Sequence, residues 1–298
     1  MEKARVLYLA GAGRSGGTLI GRVLGQMKNF FPVGELHDTW ARNFLRSGHC
    51  ACRHSFQECE FWGRVFYPNG CLIDGWKPEA MHEWRQKFRF SQRPELMFHS
   101  GRTRARPDFD EYLGRLDELY LRLAEQTGGK IIVETSRVAS YGTALSMLPN
   151  VELWVLHLVR DVRGVAMSWR SDKQWLKQRG WMGIALEWAI SNVLAERVLG
   201  HSALHYRLMR FEDFLHNPGV SLEGICDWLG VSYASPLAED SRTVDIQNYH
   251  GVVGNPDAFK TGPTEIKVSD PWPQRTPSLP NQVLATTCRP LLRRYGYN

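Results

Sequence analysis

The sequence predicts an α/β fold, a parallel sheet flanked by helices, with an inserted helical and loop region. Three observations point there. Residues 5–24, RVLYLAGAGRSGGTLIGRVL, pass from a short apolar run through a glycine loop into a helical pattern. Two further short strands are expected, Lys130 to Val133 and Val151 to Val159, the latter interrupted by Glu152 and His157, and each ends in a polar cluster, while the apolar run Val6 to Ala10 suits a strand buried on both faces of a parallel sheet. Amphipathic helical patterns separate these runs. At 298 residues, with no visible repeat, the chain is expected to be one domain over 1–298, with an insertion at about 36–110.

The first element sets the chemistry. Val6 to Ala10 read as a strand, Gly11 and Gly13 allow a tight turn, and a helix of about three turns is expected from Thr18 to Met27. Backbone N–H groups of Gly13, Arg14, Ser15, Gly16, Gly17 and Thr18 would then converge on one point at the positive end of the helix dipole, where a phosphate or sulfate fits. The alternative is an ordinary glycine turn between a strand and a helix. The loop is P-loop-like, close to G-x-x-x-x-G-K-[ST], but Gly17 stands where that motif requires lysine. Phosphoryl transfer from a nucleoside triphosphate leans on that lysine and on magnesium. A sulfuryl group carries a single negative charge, so its transfer asks for less cationic help and no metal, and Arg14 is the cation this loop supplies. Arg14-Ser15-Gly16-Gly17-Thr18 resembles the 5'-phosphosulfate loop of the sulfotransferases that use 3'-phosphoadenosine 5'-phosphosulfate (PAPS).

Composition narrows the field of partners. The net charge is +6, from 37 Lys and Arg against 31 Asp and Glu, and no long basic run suggests a nucleic-acid arm. A modest excess of positive charge suits an anionic donor. The chain starts without a signal-peptide pattern and holds no apolar stretch of membrane-spanning length, so a cytoplasmic protein is expected. Within the resemblance, the missing anchor distinguishes it from Golgi sulfotransferases and points to a bacterial type.

After the helix, Phe30 to Val33 run into Gly34 and Glu35. In the tyrosylprotein sulfotransferases a glutamate of a Gly-Glu-Glu segment at this distance is the catalytic base, and the resemblance places Glu35 in that role. An acceptor hydroxyl must lose its proton as its oxygen attacks sulfur, and burial can raise a carboxylate's pKa toward working pH. The competing reading is a capping or pairing glutamate. His37 is the rival base, since imidazole titrates near neutrality.

The insertion holds Cys50, Cys52, Cys59 and Cys71, tryptophans 40, 62, 76 and 84, and many arginines. Paired C-x-x-C spacing is missing, so reduced structural thiols come first, with a disulfide or a metal as alternatives and no metal ligand set assigned. Bacterial sulfotransferases similar to this chain carry patterns like Cys50-Ala51-Cys52 and Cys59-Glu60-Phe61-Trp62. An aromatic and basic insertion beside the site would form the acceptor pocket or a lid, while Arg89, Arg93, Arg102, Arg104 and Arg106 read mostly as a solvated face.

Beyond Asp108 the pattern becomes regular. Leu113, Leu116, Tyr120 and Leu123 mark a packing helix closed by Gly128 and Gly129; the strand 130–133 follows, with Glu134, Thr135, Ser136 and Arg137 expected at its end, facing the cleft. Arg137 stands where many sulfotransferases have lysine or histidine. The strand Val151 to Val159 ends at Arg160, with Ser168 eight residues on. The resemblance implies that this pair holds the 3'-phosphate of PAPS, and a guanidinium with a hydroxyl suits phosphate. A chance arginine and serine at a helix start is the alternative.

The remainder reads as scaffold. A helix is expected from Trp181 to Leu199 with Leu186, Ala189, Val193, Leu194 and Val198 on its apolar face, then a strand from Leu204 to Met209. Glu212 and Asp213 read as helix-start capping and pairing. Gly254, Asn255, Pro256, Phe259 and Gly262 match most of a segment common in the related bacterial enzymes, with Ala258 where they have arginine; Lys260 is the substitute cation. A closing helix is expected from Gln282 to Tyr295, packed on the sheet. The resemblance implies transfer of a sulfuryl group from PAPS to a hydroxyl-bearing small molecule, giving a sulfate ester and 3',5'-adenosine diphosphate (PAP), with Glu35 as base and Arg14 stabilising charge. A nucleotide kinase or hydrolase with a degenerate loop, and a non-catalytic PAP-binding module, are the alternatives.

Overall fold

The apolar runs pair into one sheet, all parallel, in the order β2-β3-β1-β4-β5: β1 (Ala4–Ala10), β2 (Phe30–Gly34), β3 (Ile131–Arg137), β4 (Val151–Val159) and β5 (His205–Arg210). The computed structural model describes residues 3–98, 107–170, 179–203, 205–254, 256–268 and 279–297. Arg102, Arg104, Arg106, Leu204 and Asn255 of the sequence reading lie outside them. The helices are α1 (Gly17–Leu24), α2 (Glu60–Phe66), α3 (Pro78–Lys87), α4 (Pro107–Gln126), α5 (Ala139–Ser146), α6 (Val162–Trp169), α7 (Trp181–Leu194), α8 (Gly200–Ser202), α9 (Phe211–His216), α10 (Pro218–Leu229), α11 (Leu279–Thr287) and α12 (Arg289–Arg294). A two-stranded antiparallel ribbon, β6 (Thr243–Ile246) and β7 (Gly262–Glu265), stands apart. No helix among the described residues is long and apolar enough to cross a membrane.

The strand period of two explains the layers. Val6, Tyr8 and Ala10 of β1 enter one core with Leu116, Tyr120 and Leu123 of α4, while Leu7 and Leu9 enter the opposite core with Ile20 and Val23 of α1 and Leu222 and Ile225 of α10. From β1 the chain passes to β2 at the edge, returns through β3 beside β1 and then crosses to β4 on its other side, so the crevice at the carboxyl end of β1 is the switch point where such sheets hold ligands.

The insertion is more than a cover. Trp40, Phe56, Trp62, Phe66 and Trp76 are buried in the same core as β1 and α4, with Phe56 and Trp62 stacked at 4.7 Å. Their burial stabilises by about 1.5–3 kcal/mol per large side chain, which anchors the segment to the sheet's α4 face.

Several boundaries differ from expectation. α1 ends at Leu24, three residues before Met27, and the chain turns directly into β2. β3 runs on to Arg137, so Glu134, Thr135 and Ser136 are buried strand residues and not an open rim. The buried face of α7 carries Ile184, Ala185, Trp188 and Asn192, leaving Leu186 62% and Val193 37% exposed. Polarity misled the reading: Asn192 is buried because its Oδ1 lies 2.9 Å from His157 Nε2, and Trp188 donates its indole N–H to Arg160 O at 2.8 Å. The closing helix is broken at Cys288 and packs on α6 and α7, where Leu284, Cys288 and Leu292 meet Val162, Ile184 and Trp188.

Candidate active site

Four strand ends deliver the site. β1 opens into the glycine loop, β2 into Glu35 and β4 into Arg160, while β3 ends on Arg137. Gly16 caps α1 at φ +93°, and a Cβ there would overlap the Phe211 ring, so this turn needs glycine. A Cβ at Gly17 would meet nothing closer than 4.0 Å, leaving open space at the α1 N-terminus where the nucleoside-triphosphate motif has lysine.

Several cations gather at one cavity. A cavity of about 430 Å³ is lined by Arg14, Gly16, Gly17, Thr18, Arg22, Glu35, Arg137, Arg160, Ser168, Trp169, Asp257 and Lys260, among others. Arg14, held at φ +69°, donates from Nε to Ser168 Oγ at 3.0 Å, and Arg160 donates from Nη1 to Arg14 O at 3.2 Å. Arg160 also lies over the Phe211 ring at 5.1 Å. Ser15 is buried, and its hydroxyl has no hydrogen-bond partner among the described residues. Gly13 is packed against Arg137, Glu187 and Trp169. Four guanidinium groups, the loop amides, an orphaned hydroxyl and the α1 N-terminus thus border one cavity, a chemistry that suits an anionic ligand.

Glu35 meets Arg137. The guanidinium donates from Nη2 to Glu35 Oε1 at 2.9 Å, so the carboxylate sits in an ion pair, where the sequence had suggested a desolvated carboxyl group. Arg137 reaches it from a left-handed backbone at φ +64°. Glu35 and Arg137 also line a second cavity of about 570 Å³, whose other walls include His37, Asp38, Arg42, Arg85, Arg89 and Ser140. The pair therefore stands where the two cavities meet. Burial, with help from Arg85, pushes the His37 pKa down to about 3, which disfavours the imidazolium that it would form as a base.

Glu134 fixes this corner from beneath. It is fully buried and accepts from the Ser136 N–H at 2.9 Å, the Leu36 N–H at 3.3 Å and the Tyr120 hydroxyl at 3.0 Å, and also from the Ser136 hydroxyl. These bonds join the turn that follows Glu35 to the end of β3. The other support is the loop 249–254, since Glu35 N donates to Val252 O at 3.1 Å and Val252 N to Val33 O at 2.8 Å.

Ala258 is buried with Ala51 and Val253 and is not among the residues that line the cavity. Arg22, which the sequence reading passed over, donates from Nη1 to Asp257 O at 3.0 Å and from Nη2 to Lys260 O, tying that segment to α1. It lies four residues after Thr18 on the same helix face, a spacing that could have revealed it. Lys260 lines the cavity while pairing with Asp257 at 2.8 Å. Glu212 serves as a brace, accepting from the Asp161 N–H at 3.0 Å and the Tyr297 hydroxyl at 2.6 Å. Cys50, Cys52 and Cys59 come together with His250, whereas Cys71 is exposed and outside the group.

A parallel sheet with a glycine loop at its switch point, and cations from neighbouring strand ends, defines the class: this is the fold of bacterial sulfotransferases. The assignment rests on similarity to the sulfotransferase domain of the curacin biosynthetic pathway, with a TM-score of 0.54 at 16% identity over 97% of this chain and 99% of that one. The sulfotransferase domain of the Synechococcus PCC 7002 olefin synthase is also similar, with a TM-score of 0.49 at 19% identity over 97% and 95% of the two chains. A sulfotransferase from Mycobacterium avium follows, with a TM-score of 0.47 at 12% identity over 100% and 78%. No protein-family model matches the sequence, and no curated protein matches it.

Proposed function

We propose that the protein transfers a sulfuryl group from PAPS to the hydroxyl of a small-molecule acceptor, releasing a sulfate ester and PAP. The observation that carries this reading is the position of Glu35 and Arg137 at the junction of two cavities, one lined by the glycine loop and its arginines, the other by the insertion. In the first cavity, Arg160 and Ser168 take the 3'-phosphate, with Lys260 on the facing wall, while the loop amides, Ser15, Thr18 and Arg14 hold the phosphosulfate. The acceptor enters from the second cavity, whose arginines and histidine favour a polar molecule. As the acceptor oxygen bonds to sulfur, the bond from sulfur to the bridging oxygen breaks, Glu35 takes the hydroxyl proton, and Arg14 with the loop amides stabilises the leaving phosphate. Arg137 orients the Glu35 carboxylate. Because one negative charge is transferred, the step calls for no divalent ion.

Thermal unfolding with PAP, with ATP, and with ATP plus Mg²⁺ tests the reading. PAP alone is expected to stabilise the protein, by about 2.7 kcal/mol at a hundred times its dissociation constant. Stabilisation only by ATP with Mg²⁺ would overturn it in favour of a kinase or hydrolase.

A further inference from the structure

We infer that Cys50, Cys52, Cys59 and His250 form a structural zinc site. The three sulfurs and one ring nitrogen all lie within 4.8 Å of one another. Cys59 Sγ is 3.6 Å from Cys52 Sγ and 3.2 Å from His250 Nδ1. Tetrahedral zinc, with bonds of about 2.3 Å to sulfur and about 2.0 Å to nitrogen, separates two sulfurs by roughly 3.8 Å and sulfur from nitrogen by roughly 3.5 Å. Two of the separations are thus already close to those of a tetrahedral site, and the rest fall within 4.8 Å. Three thiolates and an imidazole also form one of the closed donor sets of structural zinc, leaving no position for a substrate.

The backbone holds the ligands in place. Cys50 N donates to His54 O and Arg53 N to Cys50 O, both at 2.8 Å, closing the turn that carries two thiols. Cys59 caps α2, and His250 stacks on Phe61 with ring centres 5.9 Å apart. Ala51 N donates to Gly251 O at 3.0 Å, joining the two ligand-bearing segments directly. Zinc would therefore fasten the insertion to the loop 249–254, the same loop whose Val252 O accepts from Glu35 N. The site stands on its own geometry and does not depend on the sulfotransfer reading.

Metal analysis of the full chain, purified under reducing conditions and reconstituted with Zn²⁺, decides it. One zinc per chain is expected, lost in Cys59→Ser and in His250→Ala and kept in Cys71→Ser. Replacement by Co²⁺ should give the ligand-field and sulfur-to-metal charge-transfer bands of tetrahedral thiolate coordination, a wild-type readout that stands even if the variants fail to fold. Zinc-free protein after reconstitution, full zinc content in both Cys59→Ser and His250→Ala, octahedral cobalt bands, or a Cys52–Cys59 disulfide in the purified chain would each overturn the assignment.

Discussion

The two walls of the cleft are built in opposite ways. The glycine-loop wall joins two continuous stretches: β1 feeds the loop and the loop feeds α1, β4 feeds Arg160 and then α6 with Ser168, and the two meet where Arg14 donates to Ser168 Oγ. The insertion wall hangs one side chain on several distant segments. Glu35 is fixed by Arg137, by Val252 and, through Leu36, by Glu134, all about a hundred or more residues away. The first wall lines the proposed donor cavity, and the second carries the proposed base. Substitutions on the two walls should therefore separate donor binding from turnover.

The largest separation is expected at Glu35. Glu35→Gln keeps the shape but removes the base, so turnover should fall by about 10²–10⁴-fold while PAP affinity is unchanged. Steady-state sulfation rates, read beside PAP titrations, check this, and undiminished turnover would remove Glu35 from the mechanism. Gly254→Ala tests the same wall from a distance in sequence. A Cβ there would occupy the space of the Glu35 carboxylate, so the side chain must move. Displacement of a reacting group by about 1 Å can cost about 10²-fold, and PAP affinity should again hold.

On the other wall the effect should reverse. Arg160→Ala removes a guanidinium that supports Arg14 O and lines the donor cavity. Loss of a hydrogen bond to a charged group costs about 1.5–3 kcal/mol, or roughly 10- to 150-fold in the dissociation constant for PAP. Calorimetric titration reads this directly. Equal affinity in variant and wild type would sink the 3'-phosphate role.

The same contrast explains what could be read from sequence. The strand, loop and helix of 5–24, β4 with Arg160 and Ser168, and α4 were legible because each is a local apolar run, a pattern of period 3.6 or a fixed spacing. Glu35 was legible by its place after an apolar run, but its partner Arg137 was not: an ion pair over 102 residues leaves no mark on either neighbourhood. The gathering of the cysteines with His250 was hidden for the same reason. Cys50, Cys52 and Cys59 lie within ten residues, but His250 is 191 residues from Cys59. The α7 face was misread because a buried Trp188 and a hydrogen-bonded Asn192 outrank exposed leucine and valine, a choice that only tertiary packing makes.

Glu134 gives the smallest and most indirect test of the insertion wall. Burial raises its pKa to about 8, against hydrogen bonds from Ser136 and Tyr120 that pull the other way. The unfolded chain would ionise it near the ordinary glutamate value of about 4.3. Between these two values the native state binds more protons than the unfolded state, so stability is greatest below the lower pKa and declines as pH rises toward 8. The slope from this one group is at most about 1.4 kcal/mol per pH unit. Glu134→Gln stays neutral and keeps a carbonyl acceptor for the Leu36 and Ser136 amides, so its urea midpoint should vary less with pH across that window than that of the wild type. A variant with the wild-type slope would show that Glu134 is ionised in the fold. The four donors around it would then form a cradle for a buried carboxylate, and the corner that carries Glu35 would be held by charge.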